Sequence, residues 1–265
     1  MTDNEFDELK LLLDTEAARY NHPDFIAADP VQFVHRFTDV RDIEIVALLC
    51  SSIAWGNRRM ICRSCERLLS LMDGQPHSYV MDRGWEDLPP HDNIHRTFFT
   101  DNLRHFLCGL ESIYRRYGSL DAMAASLRPA SGEWRGASWE LAAAINRELC
   151  AANDGATDCR CLPLGIDKSA LKRFNMALRW LVRRDGIVDL GVWDSIRPSE
   201  LYIPLDVHVG NVSRELGLVS RKANDRRTVE ELTATLRRMR PDDPVYYDYA
   251  LFGIGVTRAH ELTTD

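Results

Sequence analysis

Apolar side chains along this chain recur at helical intervals rather than in alternation. Phe6, Leu9, Leu12 and Leu13 share one face of a first helix, and Ile43, Val46, Ala47, Cys50 and Ile53 share one face of another. The same spacing predicts helices over 60–72, 103–117 and 139–153, separated by Asp73-Gly74, Pro89-Pro90 and Asp154-Gly155, which interrupt helical hydrogen bonding or turn the chain. From 154 to 167, Gly, Asp, Cys and Pro mix without helical period, and this stretch reads as a crossing between two parts of the protein. Beyond it the pattern predicts a helix over 169–184, a loop through Asp185-Gly186 and Gly191, a helix opening near Pro204, and helices over 229–240 and 246–254. Alternating runs closed by hairpin turns are nearly absent, and no internal repeat or low-complexity tract occurs. The expected fold is all-α, a helical bundle with irregular connections.

With 265 residues, 45% of them apolar, the chain can bury a full core, either as one large domain or as two lobes sharing an interface. No apolar run is long enough to cross a membrane, and the first twenty residues are acidic and amphipathic, so the expectation is a cytoplasmic protein with no membrane partner. Seven cysteines, an odd number without an even framework, fit reduced thiols. Cys62/Cys65 and Cys159/Cys161 come nearest to a metal-binding spacing, but the first pair falls within a helix and the second is too tight for a zinc knuckle. No metal and no cofactor are expected. The net charge of −7 argues against coating nucleic acid by bulk electrostatics. From 160 to 240, however, 16 Lys and Arg stand against 10 Asp and Glu, a local positive excess that suits either a face gripping a polyanion or ordinary solvated helix faces.

The segment Ile203-Pro204-Leu205-Asp206-Val207-His208-Val209, followed by Val212, Leu216, Gly217 and Leu218, describes a helix with a proline near its start and an aspartate at a capping position. An Asp so placed can be a plain N-cap, and capping does not exclude catalysis. His208 stands two residues beyond Asp206, a spacing that on a helix points the two side chains to different faces, so His208 is expected to contact backbone or DNA instead of pairing with Asp206.

These residues resemble the helix-hairpin-helix DNA glycosylase superfamily, in which a proline-containing loop bearing the catalytic aspartate opens such a helix. The fit lies at Pro204, Asp206, His208, Val209, Arg214, Leu216, Gly217 and Leu218, and 241–255 is similar to the closing helix, with Leu251, Gly253 and Gly255. Upstream, Leu162-Pro163-Leu164-Gly165-Ile166-Asp167-Lys168 stands where the superfamily has its hairpin, with Gly165 as the one hairpin glycine in place. Counting from the hairpin makes Lys168 the nucleophile. The run Lys172-Arg173-Phe174-Asn175-Met176 is instead similar to the lysine helix of the archaeal 8-oxoguanine glycosylases, whose longer lysine-to-aspartate separation suits the 34 residues between Lys172 and Asp206. Ser169 could cap that helix, leaving Lys172 in its first turn, where the positive end of the macrodipole favours a free amine. The chain also resembles an uncharacterised bacterial family within this superfamily.

The resemblance implies a two-lobed helical fold over 1–265 with an atypical helix-hairpin-helix, 40–158 forming a scaffold and 159–255 carrying the hairpin and the aspartate helix. It implies a monomer acting on double-stranded DNA with a flipped, damaged base, oxidised purines included, through a Lys nucleophile and Asp206. If neither lysine reaches the sugar, Asp206 activating water would give base release only. The loop Ala54-Trp55-Gly56-Asn57-Arg58-Arg59 resembles the loop that fills the hole left by the base, with Asn57 as the wedge and Arg58 or Arg59 reading the unpaired base or gripping phosphate. A Gly-Asn turn between two helices accounts for the same residues. Trp55, Trp180, Trp193, Tyr246, Tyr247 and Tyr249 include candidates for stacking on the base. The chain has no cysteine beyond Cys161 for an iron-sulfur cluster. The alternative reading is a DNA- or RNA-binding protein that kept the scaffold without the chemistry.

Overall fold

Residues 43–52 of α3 (Val40–Ser52) are buried without a break, so this helix is covered on every side rather than along one stripe. In the computed structural model, which describes residues 2–261 and the side chains of residues 2–256, α3 is the axis on which the other elements pack. Around it lie a 3-10 turn (Pro30–Arg36), α4 (Arg58–Leu71), α5 (Pro76–Met81) and α9 (Lys172–Val182). Glu44 is the one acidic side chain buried inside α3. Its carboxylate accepts hydrogen bonds from Tyr114 Oη at 3.0 Å, Leu120 N at 3.0 Å and Asp121 N at 2.9 Å, and so fixes the end of α6 (Thr100–Tyr117) and the start of α7 (Leu120–Leu127). Burial pushes the Glu44 carboxyl above its ordinary range, and these three donors oppose the shift.

The remaining helices form two sets of contacts. α8 (Ala137–Ala152) packs on α6, α7 and α9, whereas α1 (Asp3–Tyr20) and α10 (Val207–Glu215) both pack on α12 (Asp248–Glu261), and α11 (Arg226–Met239) packs on a 3-10 turn (Pro244–Tyr247). The α1–α12 approach depends on Gly253: a Cβ there would stand 2.1 Å from the Tyr20 ring. Asp39, Asn57, Ser119, Asp206 and Asp225 accept from backbone N–H groups in the first turns of α3, α4, α7, α10 and α11, which explains why those helices begin where they do.

Helix accounts for 64% of the structure and strand for 2%, which makes the fold all-α as the periodicity predicts. The short elements escape sequence reading: α2 (Pro23–Ala28), α5, α7 and an antiparallel pair, β1 (Asn93–His95) with β2 (Phe98–Phe99). Among the described residues no helix is long and apolar enough to cross a membrane.

The expected start of α9 also shifts. Ser169 does not cap it: the serine Oγ accepts from Leu171 N at 3.2 Å, Leu171 itself takes the N-cap position with a left-handed φ of 48°, and the helix opens at Lys172. A branched residue in that conformation is strained by about 1–3 kcal/mol, and Leu171 is held there by burial of its side chain.

One face of α9 carries Arg179 and Arg183 into the core. Arg179 Nε meets Asp189 Oδ1 at 3.2 Å and its Nη1 bonds the Asp248 carboxylate; Arg183 Nη1 bonds the Asp189 carboxylate and its Nη2 meets Asp243 Oδ2 at 2.9 Å. Tyr249 Oη donates to Asp189 Oδ2 at 2.9 Å. Two members of the basic 160–240 segment are thus neutralised inside the protein and add nothing to an outward face. Since Asp189 is fully buried between two guanidiniums, Asp189→Ala is expected to cost about 3–5 kcal/mol, read as a fall in the urea midpoint, because it strands buried charge. A change below about 1 kcal/mol would show that Asp243 and Asp248 suffice.

Candidate active site

The left-handed turn at Leu171 delivers Lys172 as the first residue of α9, and Asp206 stands at the mouth of α10 with extended backbone (φ −116°, ψ −170°). The two carboxylate oxygens of Asp206 have separate roles. Oδ1 accepts from Val209 N at 2.9 Å as a helix cap, and Oδ2 lies 3.6 Å from Lys172 Nζ. Both side chains are partly exposed, 33% for Lys172 and 26% for Asp206, so the pair is accessible to a ligand. Asn224 Nδ2 donates to the Asp206 carbonyl at 3.3 Å, and Arg214 Nη2 holds Asn224 Oδ1 at 2.5 Å, which braces the turn from behind.

The pair opens onto a cleft of about 880 Å³ bordered by α9, α10, α12, the Trp55 loop and the segment around Cys159–Pro163. This is ample for a nucleotide-sized ligand. Phe25 and Phe252 line it with ring centroids 5.9 Å apart, edge to face, and Arg58 lies 5.2 Å over Phe252. Trp55 lines it from another side, its ring edge-on to His95 at 4.8 Å. His95 is buried between Ser64 Oγ at 2.9 Å and the Trp55 carbonyl at 3.0 Å, and thereby anchors the loop. The following Gly56 has φ +100°, a conformation that favours glycine, and a Cβ there would meet the Arg96 guanidinium at 2.6 Å.

Two further carboxylates reach the cleft. Asp29 accepts from Val31 N at 3.1 Å and stands 4.0 Å from Arg58 Nη2, and burial pushes its carboxyl up. Asp248, bonded to Arg179, is pushed up to about 6 by burial and by the nearby Asp206, against the opposing pull of Arg179 and Lys172. Among the described residues no group of three His, Cys, Asp or Glu side chains is arranged to hold a metal ion.

Of the residues singled out in the sequence, Lys172, Asp206, Arg58, His208 and Trp55 all border this cleft. Lys168 does not: it is exposed at the end of a 3-10 turn (Ile166–Lys168), and Gly165 is exposed in open space beside it. Asn57 and Arg59 also lie outside the cleft lining; Asn57 Oδ1 caps α4, accepting from Arg59 N at 3.0 Å and Met60 N at 3.4 Å. His208 is exposed in the first turn of α10 and makes no hydrogen bond or ion pair with Asp206, which precedes the helix with extended backbone. Trp180, Trp193, Tyr247 and Tyr249 are buried in the core, which leaves Trp55 as the cleft aromatic among the six candidates. Sequence reading missed Phe25, Asp29, Asp248 and Phe252. The only signal for Asp248 was its place in the run resembling a closing helix, where an acidic residue reads as a cap.

Residues 29–257 match the family described as protein of unknown function (DUF2400), a span that takes in every cleft residue named above except Phe25. The chain belongs to the DUF2400 family. No curated protein and no solved structure matches it. The site of this DUF2400 protein is therefore read from its geometry: an accessible amine and carboxylate, two buried acids beneath them, and aromatic walls.

The buried acid has a measurable signature. Because the folded-state pKa of Asp248 lies above its ordinary value of 3.8, the stabilisation it confers by holding a proton is complete below about pH 4 and is lost as the pH rises through about 6. The stability of wild type relative to Asp248→Asn is expected to fall by roughly 2–3 kcal/mol between pH 4 and 7 in urea titrations. A flat difference would mean that Arg179 keeps Asp248 ionised throughout.

Proposed function

We propose that this protein is a DNA glycosylase with AP lyase activity, removing a damaged base flipped out of duplex DNA. The observation that carries the reading is the 3.6 Å approach of Lys172 Nζ to Asp206 Oδ2 at the mouth of an aromatic-walled cleft. The resemblance to helix-hairpin-helix glycosylases points to Asp206 and to either Lys172 or Lys168, and of the two lysines Lys172 is the one beside Asp206. The helix contacts fall into two sets, α6 with α8 and α1 and α10 with α12, joined through the Arg179–Asp248 pair, which suits a two-lobed arrangement.

In this reading Lys172 first gives an ammonium proton to solvent, its amine attacks C1′ of the flipped nucleotide as the glycosidic C–N bond breaks, and the base leaves with the bonding electron pair and takes up a proton. Asp206 Oδ2 stabilises the positive character that develops at the sugar. The secondary amine then loses its proton and opens the sugar ring to a Schiff base. Loss of a C2′ proton and departure of the 3′ phosphate oxygen nick the strand. The Trp55 loop would face the opened duplex, with Arg58 and Arg59 beside it.

Borohydride reduction tests this directly, since it converts a Schiff base into a stable covalent adduct. On a panel of lesion-containing duplexes, wild type is expected to trap on at least one lesion, Lys172→Gln to trap on none, and Lys168→Gln to trap as wild type does. Asp206→Asn is expected to release the base about 10²–10³-fold more slowly. Trapping that survives Lys172→Gln and disappears with Lys168→Gln would move the nucleophile. Neither trapping nor base release on any lesion, with duplex binding intact, would replace the enzyme by a nucleic-acid-binding protein.

A further inference from the structure

At the Trp55 end of the cleft the guanidiniums of Arg173 and Arg160 have no carboxylate ion-pair partner among the described residues, although the Arg160 main-chain N–H donates to Asp158 Oδ1 at 2.7 Å, and Arg96 stands behind the Trp55 loop outside the cleft lining. Arg173, on the first turn of α9, lies 5.0 Å over the Trp55 ring, and its Nη1 donates to the Ser52 carbonyl. It is largely enclosed, yet the charged and ionisable groups acting on it are Arg160, Cys159 and Cys161, with no acid among them. Burial lowers its pKa. Arg160 is exposed on the same cleft wall, and Arg96 lies against Gly56, the neighbour of Trp55.

Other enclosed arginines of this fold are treated differently. Arg179 is paired with Asp189 and Asp248, Arg183 with Asp189 and Asp243, and Arg128 with Glu200 at 2.7 Å. Enclosing a guanidinium without a counter-charge is unfavourable. It is tolerated at a site where a ligand brings the missing negative charge.

The cleft is consequently polar from end to end. Asp29, Asp206 and Asp248 gather around Lys172, Arg58 and Arg179 at one end, and Arg160 and Arg173 stand uncompensated at the other. A nucleotide cannot place its phosphate among the carboxylates without repulsion, whereas its sugar and base can lie there.

We propose that Arg173 and Arg160, with Arg96 across the Trp55–Gly56 loop, form a phosphate subsite that orients the nucleotide whose sugar faces Lys172. The source is either the phosphodiester flanking the flipped nucleotide or the terminal phosphate of a nicked strand, which share the same recognition chemistry. The strand as source rests on the glycosylase reading; the anion site itself does not.

Two measurements on the full chain separate these. In the first, inorganic phosphate is titrated at constant ionic strength while the arginine Nε–Hε resonances are followed by NMR, Arg173→Lys providing the assignment. A saturable shift of Arg173 at millimolar phosphate, weakened at least fivefold by Arg160→Gln, is expected. No shift of Arg173 would overturn the subsite. In the second, binding is measured to a duplex containing a tetrahydrofuran abasic analogue, with single methylphosphonates on either side, and to nicked duplexes with a 5′-phosphate or a 5′-hydroxyl. A methylphosphonate penalty of about tenfold that disappears in Arg173→Gln and Arg160→Gln, with a salt slope lower by about 0.9 for each phosphate no longer neutralised, supports the site and assigns the phosphodiester. A preference for the 5′-phosphate that disappears in the same variants supports it and assigns the terminal group. Equal binding of wild type and both variants to every duplex that binds would overturn the proposal. A phosphate shift with no duplex binding would uphold the anion site while removing the glycosylase reading.

Discussion

The setting of α9 against α12, and with it the place of Lys172 in the cleft, depends on Arg179 of α9 and Arg183 at its C-terminal cap being held inside the protein. Arg183 caps α9 four residues beyond Arg179, and Lys172 and Met176 lie on the Arg179 face toward the helix start. The inner end of that face is fastened to Asp189 in the loop after α9, to Asp243 before the Pro244–Tyr247 turn, and to Asp248 at the start of α12. With that end fixed in rotation, the outer end has no freedom to turn Lys172 away from Asp206. The ion pairs need not make a large net contribution to stability, because desolvation offsets much of their attraction. Their effect is to select one register of α9 against α12.

The same fastening explains which parts of the site were legible in the sequence. Lys172 and Asp206 stood out in the sequence, with Lys168 as the alternative lysine, because the residues around each resemble those of a known family: Lys-Arg-Phe-Asn-Met for the lysine and Pro-Leu-Asp-Val-His for the aspartate. Asp29 and Asp248 have no such signature. Asp29 precedes a proline in a stretch without recognisable pattern, and Asp248 resembles a cap; only tertiary packing brings them beneath the lysine. The arginines misled in the other direction. Arg179 and Arg183 count toward a basic segment, yet they interrupt the apolar run Phe174, Ala177, Leu178, Leu181 and Val182 at positions that turn inward. Asp185 and Asp189, closely following, were the available hint that these charges had internal partners.

Helix type and approximate placement were legible throughout the long elements because periodicity reports a face directly. The start of α9 was not, because serine is a favoured cap and the left-handed leucine that displaces it is unfavourable by itself. That strain sits one residue before Lys172. A relaxed start at Ser169 would move the first turn and with it the amine.

The pairing of α1 with α12 joins segments far apart in sequence: Tyr247 Oη donates to Asp14 Oδ1 at 2.9 Å across 233 residues, and Tyr20 fills the notch above Gly253. During synthesis α1 therefore leaves the ribosome long before α12, with Asp248 at its start, exists to be covered. The α3–α6–α8 side can assemble before α12 is made, but the cleft closes only once α12 has emerged. Until then Leu13 and Ala17 of α1 have no core to enter, so the interval between first and last helix is when a growing chain of this protein exposes apolar surface to other molecules.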